Sequence, residues 1–125
     1  MSMHSATHSE ARIQADCVCW FKVTHQRYQD LLYMNNNNSI GAKRGNLAKA
    51  MGLTAGIPDC FLALFRGAYH GFYIEFKKPG EGLTATQLGI KLQLCGLGFH
   101  YSIIKSLEQF QQEVELYLNL PSHNL

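Results

Sequence analysis

The sequence predicts one α/β domain: a small mixed sheet flanked by helices, in the order helix, three strands, helix, strand, helix. Two aromatic-rich apolar runs, residues 60–65 and 72–76, are separated by the turn-forming stretch RGAYHG and favour a hairpin. Apolar residues at helical spacing mark residues 9–23 and 106–118 as helices. A chain of 125 residues has the length of a single domain with one core, and no internal repeat suggests otherwise.

The first half of the chain has weaker signals than the second. Ser9 is suited to cap the first helix, and residues 31–34 predict a short strand. The polar stretch NNNNSIGAKRGN, which begins at Asn35, predicts a loop, with a brief helix at residues 46–51.

In the second half, Thr84 and Gln87 have the spacing of a capping box and open a helix over residues 87–97. Residues 100–104 predict the last strand. We expect residues 1–8 to be a flexible start, residues 9–120 to form the domain, and residues 121–125 to be a tail.

Composition restricts the class of protein. With 46% hydrophobic and 16% charged residues, the chain is typical of globular proteins. Its net charge of +2 neither demands nor excludes nucleic acid. No signal peptide and no apolar stretch of about 20 residues is evident, so we expect an intracellular, cytoplasmic protein without membrane contact and with reduced cysteines.

Charged side chains gather at one end of the predicted hairpin. If its turn is centred near Ala68, residues whose numbers sum to about 137 lie opposite one another, which places Asp59 beside residues 75–78. Glu75 and Lys77 then project from the same face of their strand, because side chains alternate. The first helix, packed on the sheet, would bring Glu10 to the same place.

Neighbouring carboxylates repel one another, and a divalent cation removes the conflict. A few oxygen ligands with positions left for water suit Mg²⁺ or Mn²⁺, which neutralise charge on a phosphate. A lysine beside them suits phosphodiester hydrolysis. Each piece also has an ordinary explanation: Asp after Pro is common in turns, and Glu-x-Lys at a strand end is often a solvated ion pair.

A family resemblance rests on GIPD, at residues 56–59, and on IEFKKPGEGLTATQ, at residues 74–87. Together they resemble the signature of the VRR-NUC (virus-type replication-repair nuclease) branch of the PD-(D/E)XK superfamily. The similarity extends from SEARIQ, near residue 9, to the helix that ends around residue 118. It implies an α-β-β-β-α-β core with a mixed sheet, followed here by a C-terminal helix, and metal-dependent nuclease activity.

The resemblance also implies a role for each matching residue. Asp59 and Glu75 would bind the metal, and Lys77 would be the catalytic lysine. Glu10 and the backbone carbonyl of Phe76 would complete the metal site. The predicted catalytic groups are therefore Asp59, Glu75, Lys77 and Gln87, the last of which would lie near the scissile phosphate. Its place in the capping box is an alternative and sufficient reason for Gln87.

DNA is the expected partner, and no organic cofactor is expected. Basic side chains in the loop after the first strand and around the predicted site would contact phosphates: Lys43, Arg44, Lys49, Lys78 and Lys91. Stand-alone members of the family are associated with homodimers that cleave branched DNA such as Holliday junctions, since paired cuts need two sites. Candidate dimer surfaces are the last helix and the hairpin residues Phe65, Tyr69 and Phe72.

Other functions stay open on the sequence alone. The same fold can serve as a non-catalytic DNA-binding module, or as a nuclease for flap or duplex DNA. A small-molecule phosphoesterase would need a closed pocket, which the basic, open loops argue against.

Overall fold

The computed structural model describes residues 9–35 and 42–122, with the side chains of residues 42–45 excepted. The predicted flexible start at residues 1–8, the end of the predicted tail, and the side chains of Lys43 and Arg44 therefore lie outside the described residues. The helices are α1 Glu10–Thr24, α2 Ala42–Ala50, α3 Ala85–Gly96 and α4 Leu107–Leu118. The strands are β1 Leu32–Met34, β2 Cys60–Leu62, β3 Phe72–Phe76 and β4 His100–Ile104, and a 3₁₀ helix, Gln26–Leu31, precedes β1.

The four strands of the described chain form one sheet in the order β1-β2-β3-β4. β1 and β3 each run antiparallel to β2, whereas β3 and β4 are parallel. Parallel neighbours need a crossover, and α3 supplies it. The prediction of a mixed sheet flanked by helices is confirmed. No helix in the described part of the chain is both long enough and apolar enough to span a bilayer.

The core lies between the sheet and the pair α1 and α4. Alternate residues of β3 point into it and are almost fully buried: Phe72, Ile74 and Phe76. α1 and α4 each present one apolar stripe to these side chains, consisting of Ile13, Cys17 and Phe21 on α1 and of Phe110, Val114 and Tyr117 on α4. The opposite face of β3, which carries Tyr73 and Glu75, is left for the site.

The helix starts follow their predicted caps. The Ser9 hydroxyl accepts a hydrogen bond from the backbone N–H of Arg12 at 3.1 Å. Thr84 caps α3, and both hydrogen bonds of the capping box with Gln87 are present. Capping satisfies backbone donors that have no partner inside a helix, so these polar residues define where each helix begins.

The predicted hairpin register was wrong. Cys60 lies opposite Ile74, so paired residues sum to 134 (60 and 74) and the turn is centred at Gly67. Gly67 has φ +55°, a left-handed conformation that favours glycine. β2 also ends at Leu62, short of the predicted residue 65. Extending the observed register by one residue places Asp59 opposite Glu75, not beside Lys78.

Other boundaries differ from prediction, as does one surface: α3, for example, runs from Ala85 to Gly96 and not over residues 87–97. α2 begins at Ala42, inside the predicted loop, because AKRGNLAKA is rich in helix-forming Ala, Lys and Leu. Leu31 ends the 3₁₀ helix, so β1 starts one residue later than predicted. Phe72 was expected at a dimer surface, but its side chain is 0% exposed because it packs in the core.

Candidate active site at the end of the central strands

Asp59 is held where β1, β2 and β3 meet. Its Oδ2 accepts a hydrogen bond from the backbone N–H of Phe76 at 2.8 Å. Its backbone carbonyl accepts one from the N–H of Asn35 at 2.8 Å, and the Asn35 amide donates to the carbonyl of Pro58 at 2.9 Å. Hydrogen bonds from Phe76 and Asn35 therefore fix the backbone and one carboxylate oxygen of Asp59, and this sets the direction of the other oxygen.

Glu75 is a buried acid with incomplete hydrogen bonding. Its side chain is only 3% exposed, and Oε2 accepts a hydrogen bond from the Gln87 amide at 3.1 Å. Oε1 is buried without a hydrogen-bond partner. Burial raises the pKa of Glu75 to about 8; the negative charge of Asp59 raises it too, and the positive charge of Lys77 opposes both. The carboxyl groups of Glu75 and Asp59 are close enough to share a hydrogen bond.

These two acids fit a small divalent cation. A buried carboxylate oxygen without a donor lies beside a second carboxylate, and both are hard oxygen ligands. No group of three or more His, Cys, Asp or Glu side chains is arranged to hold an ion among the residues described. Mg²⁺ is commonly bound by one or two carboxylates, with waters and substrate phosphates as the other ligands. The pair therefore matches that mode of binding.

Lys77 brings positive charge to the acids. Its side chain is only 8% exposed, and its backbone N–H donates to the carbonyl of Ile104 at 3.0 Å, beyond the last residue of β3. The ammonium charge lowers the pKa of both Glu75 and Glu10, against the larger upward effect of burial on each. Lys77 is thus within electrostatic reach of acids on two elements.

Glu10 is paired with an acid that the sequence reasoning missed. Burial raises the pKa of Glu10, and a hydrogen bond with Glu81 contributes further. That same hydrogen bond lowers the pKa of Glu81, whose carboxylate also lies 3.7 Å from the ammonium of Lys78. Glu10 interacts electrostatically with Asp59 but joins Glu81 directly. The only local signal for Glu81 was an acid in the glycine-containing loop after Lys77.

Gln87 serves the helix cap and the site at once. Its Oε1 accepts from the backbone N–H of Thr84 at 3.0 Å, and its Nε2 donates to Glu75 at 3.1 Å. The alternatives that the sequence left open, capping and a place in the site, are both present in one amide.

A cleft of about 280 Å³ opens over the acids. Its lining combines the two acids and Gln87 with Lys49 and the loop after α2: Leu53, Thr54, Ala55, Gly56 and Ile57. Gly56, at φ +86°, lies so close to α3 that an added Cβ would be 2.9 Å from the carbonyl of Thr86. This loop therefore packs directly against the start of α3 and forms one wall.

The other predicted DNA contacts are placed differently. Lys78 is engaged with Glu81, and the Lys91 ammonium lies 5.6 Å from the ring centroid of Tyr101. Tyr101 was not predicted from the sequence: its hydroxyl is buried without a hydrogen-bond partner, and burial, then the charges of Glu75 and Asp59, raise its pKa. Of the predicted cations with described side chains, Lys49 is the one that lines the cleft.

Comparison with known proteins identifies the architecture. No family model and no curated protein sequence matches the chain. A solved structure described as "VRR_NUC domain protein" superposes with a TM-score of 0.79 and 24% sequence identity, over 94% of this chain and 93% of that one. The chain has the VRR-NUC fold. The resemblance read from GIPD and IEFKKPGEGLTATQ is confirmed by the shared architecture.

Proposed function

We propose that the chain is a metal-dependent endonuclease that hydrolyses phosphodiester bonds in DNA, with Mg²⁺ or Mn²⁺ as its cofactor. The observation that supports this most is the buried Glu75, with one oxygen lacking a partner, level with Asp59 and beside Lys77. A charge buried in this way must be compensated, by a proton on Glu75 in the metal-free protein and, in this proposal, by the cation that replaces that proton.

Each residue has a distinct task in this proposal. Asp59 and Glu75 would hold the ion, with the Phe76 carbonyl and Glu10 as further predicted ligands. When bound, the ion supplies positive charge that offsets the charge developing on the phosphate. Lys77 orients the attacking water and stabilises the transition state by its fixed charge. Gln87 holds Oε2 of Glu75, which leaves Oε1 available.

We further propose that the substrate is branched DNA, such as a Holliday junction, cut inside the cell by a homodimer. Two cuts placed symmetrically need two active sites, and a twofold dimer supplies them. α3 supports self-association because it buries none of its residues fully. Its Leu88 and Leu92, one turn apart, are 47% and 64% exposed.

The cations around the site would contact the DNA backbone. Lys49 lines the cleft, and Lys78 and Lys91 are the other predicted contacts with described side chains. Together with Lys43 and Arg44 they would give binding that weakens with salt and reads little sequence.

A cleavage assay tests the proposal. Labelled four-way junction, flap, duplex and single-stranded DNA are incubated with the protein in Mg²⁺, in Mn²⁺ and in EDTA, alongside Lys77→Met. We expect metal-dependent internal cuts, fastest on the junction, that Lys77→Met abolishes. Binding without cleavage of any substrate in either metal would identify a DNA-binding module instead. Cleavage that survives Lys77→Met would contradict the assigned site.

A further inference from the structure

A row of aromatic side chains crosses the whole sheet. Tyr33 pairs with Phe61, Phe61 with Tyr73, and Tyr73 with Tyr101, one residue from each strand. Paired residues share a face of the sheet, so these four form one aromatic row. The row lies on the face opposite the core, because the core side chains of β3 are the residues that alternate with Tyr73.

The aromatic row is next to the candidate active site. Tyr73 precedes Glu75 by two positions on β3, and Phe61 follows Asp59 by two positions, so the acids and the row project from the same face. At about 3.3 Å per residue, the row lies about 7 Å from the acids along the strands. That separation is close to the distance between successive nucleotides in an extended single strand of DNA.

The rings of the row contact one another and remain accessible. The centroids of Phe61 and Tyr73 are 4.4 Å apart, and those of Tyr33 and Phe61 are 6.0 Å apart. Tyr33 is 47% exposed, whereas Phe61 and Tyr73 are half-buried. An added Cβ on Gly71 would lie 2.3 Å from the Phe61 ring, so the bare backbone lets this ring lie flat over β3.

α3 covers one end of the row. It packs on β4, where Lys91 lies above the ring of Tyr101. Tyr101 is therefore covered, at 8% exposure, and Phe99 packs edge-on against Phe61 and Tyr73 at centroid distances of 6.1 and 5.3 Å. Tyr33 is the exposed member of the row, and Phe61 and Tyr73 are half-buried beside it. The cationic cleft with Lys49 lies at the site end of the same face.

We propose that Tyr33, Phe61 and Tyr73 stack on unpaired bases of the DNA strand whose phosphate occupies the active site. The inference rests on the proposed nuclease function and narrows its substrate, from branched DNA in general to branched DNA in which the bases beside the scissile phosphate are unpaired. Bases suit the row better than a protein does because the row lies on the same face as Asp59 and Glu75, two positions away along each strand, and the cleft at those acids is lined by Lys49. Phenol rings offer both a stacking face and a hydrogen-bonding hydroxyl to a base.

Base stacking is measured with a fluorescent base. A duplex with a single-stranded extension carries 2-aminopurine at the first unpaired position, and the full-length protein is titrated in EDTA so that nothing is cut. Stacking quenches 2-aminopurine, so we expect quenching by the wild type and its loss in Tyr33→Leu/Tyr73→Leu. Removing each ring weakens binding to this DNA by at least about fivefold, while binding to blunt duplex changes less than twofold.

Matched variants separate stacking from folding. Tyr33→Phe/Tyr73→Phe keeps the rings and should quench like the wild type. Leu116→Ala, an exposed apolar change on α4, should alter neither reading. Equal thermal melting of all variants shows that the tyrosine changes did not unfold the sheet.

Three results would overturn the inference. If Tyr33→Leu/Tyr73→Leu still cleaves DNA and quenches 2-aminopurine like the wild type, the row does not stack on bases, and the nuclease proposal stands without it. Dissociation of a dimer into monomers by the same variant, seen by light scattering, would make the row a contact with a second copy. Absence of both DNA binding and cleavage in the wild type would reject the nuclease proposal, and the inference with it.

Discussion

Both faces of the central sheet bury polar side chains, but the two faces differ in whether those side chains have hydrogen-bond partners. On the face covered by α4, the Tyr117 hydroxyl donates to the carbonyl of Leu64 at 2.6 Å, and Ser102 hydrogen-bonds to Glu113. On the face covered by α3, Oε1 of Glu75 and the hydroxyl of Tyr101 have no partner. In the described chain, these are the buried side-chain oxygens that lack one.

The difference between the faces indicates which buried polar groups stabilise the fold and which are available for binding. Native proteins hydrogen-bond nearly all buried polar groups, because each unsatisfied one costs about 1–3 kcal/mol. The α4 face follows this rule and stabilises the fold. The α3 face departs from it at the acids, where a group outside the chain is expected to complete the bonding.

The largest expected effect is on the rate of DNA cleavage, which should fall for substitutions at the acids and Lys77 but not for one on the α4 face. Asp59→Asn and Lys77→Met should each lower the rate of DNA cleavage by about 10²–10⁴-fold, because both remove charge from the reacting centre. Ser102→Ala, on the α4 face, should change the rate per folded molecule less than twofold while lowering the melting temperature. Initial rates and melting curves for all three variants test this, and equal activity losses on both faces would break the distinction.

The pH dependence of stability should trace to Glu75. Its pKa is about 8 in the folded protein against an ordinary value of 4.5, so between these values the folded state holds a proton that the unfolded state releases. The free energy of unfolding therefore falls as pH rises through this window. Without metal, Glu75→Gln should match the wild type near pH 4 and exceed it at pH 9 by several kcal/mol, because each unit between the two pKa values contributes about 1.4 kcal/mol.

Denaturant unfolding at several pH values measures that difference. Glu108→Gln, on the exposed side of α4, is the matched control for the loss of one carboxylate. A wild-type curve that is flat from pH 5 to pH 8 would contradict the assignment.

The two tasks of Gln87 can be separated by its capping partner. Thr84→Ala removes the hydroxyl that accepts from the Gln87 N–H and should cost about 1 kcal/mol of stability, with cleavage retained. Gln87→Ala keeps the backbone N–H that Thr84 caps but removes both side-chain hydrogen bonds, to the Thr84 N–H and to Glu75, so it should lose similar stability and about tenfold in rate. Parallel melting and cleavage measurements decide the matter. Identical rates in the two variants would reduce Gln87 to a helix cap.

The smallest expected effect is on the free energy of unfolding when one buried tyrosine from each face of the sheet is changed to phenylalanine. Tyr117→Phe removes a satisfied hydroxyl and should destabilise by about 1 kcal/mol. Tyr101→Phe removes an unsatisfied one and should be neutral or stabilising. Free energies of unfolding at neutral pH check the pair, and a larger loss for Tyr101→Phe would show that its hydroxyl has a partner.

Local signals in the sequence predicted most of the fold. Caps at Ser9 and Thr84 act within one helical turn, so a short stretch of sequence is enough to recognise them. The hairpin register depends on which residue takes the left-handed conformation, and RGAYHG contains glycines at both ends. Gly67 at its start adopts it, which shifted every pair from the predicted alignment.

The sequence was sufficient to predict that certain residues of the candidate site lie close together. Asp59, Glu75 and Gln87 meet because neighbouring elements place them together. Glu81 and Tyr101 were missed because their relevance depends on tertiary contacts: Glu81 meets the first residue of α1, and Tyr101 is enclosed beneath Lys91. No spacing in the sequence encodes such contacts.

The shared amide of Gln87 also restricts how this protein can be redesigned. A programme of thermostabilisation would favour glutamate at this third helical position, since it completes a capping box as well as glutamine does. Here that exchange would replace an N–H donor by a third negative charge against the enclosed acid of β3. An engineer seeking a hardier variant should therefore strengthen the chain elsewhere and keep this amide.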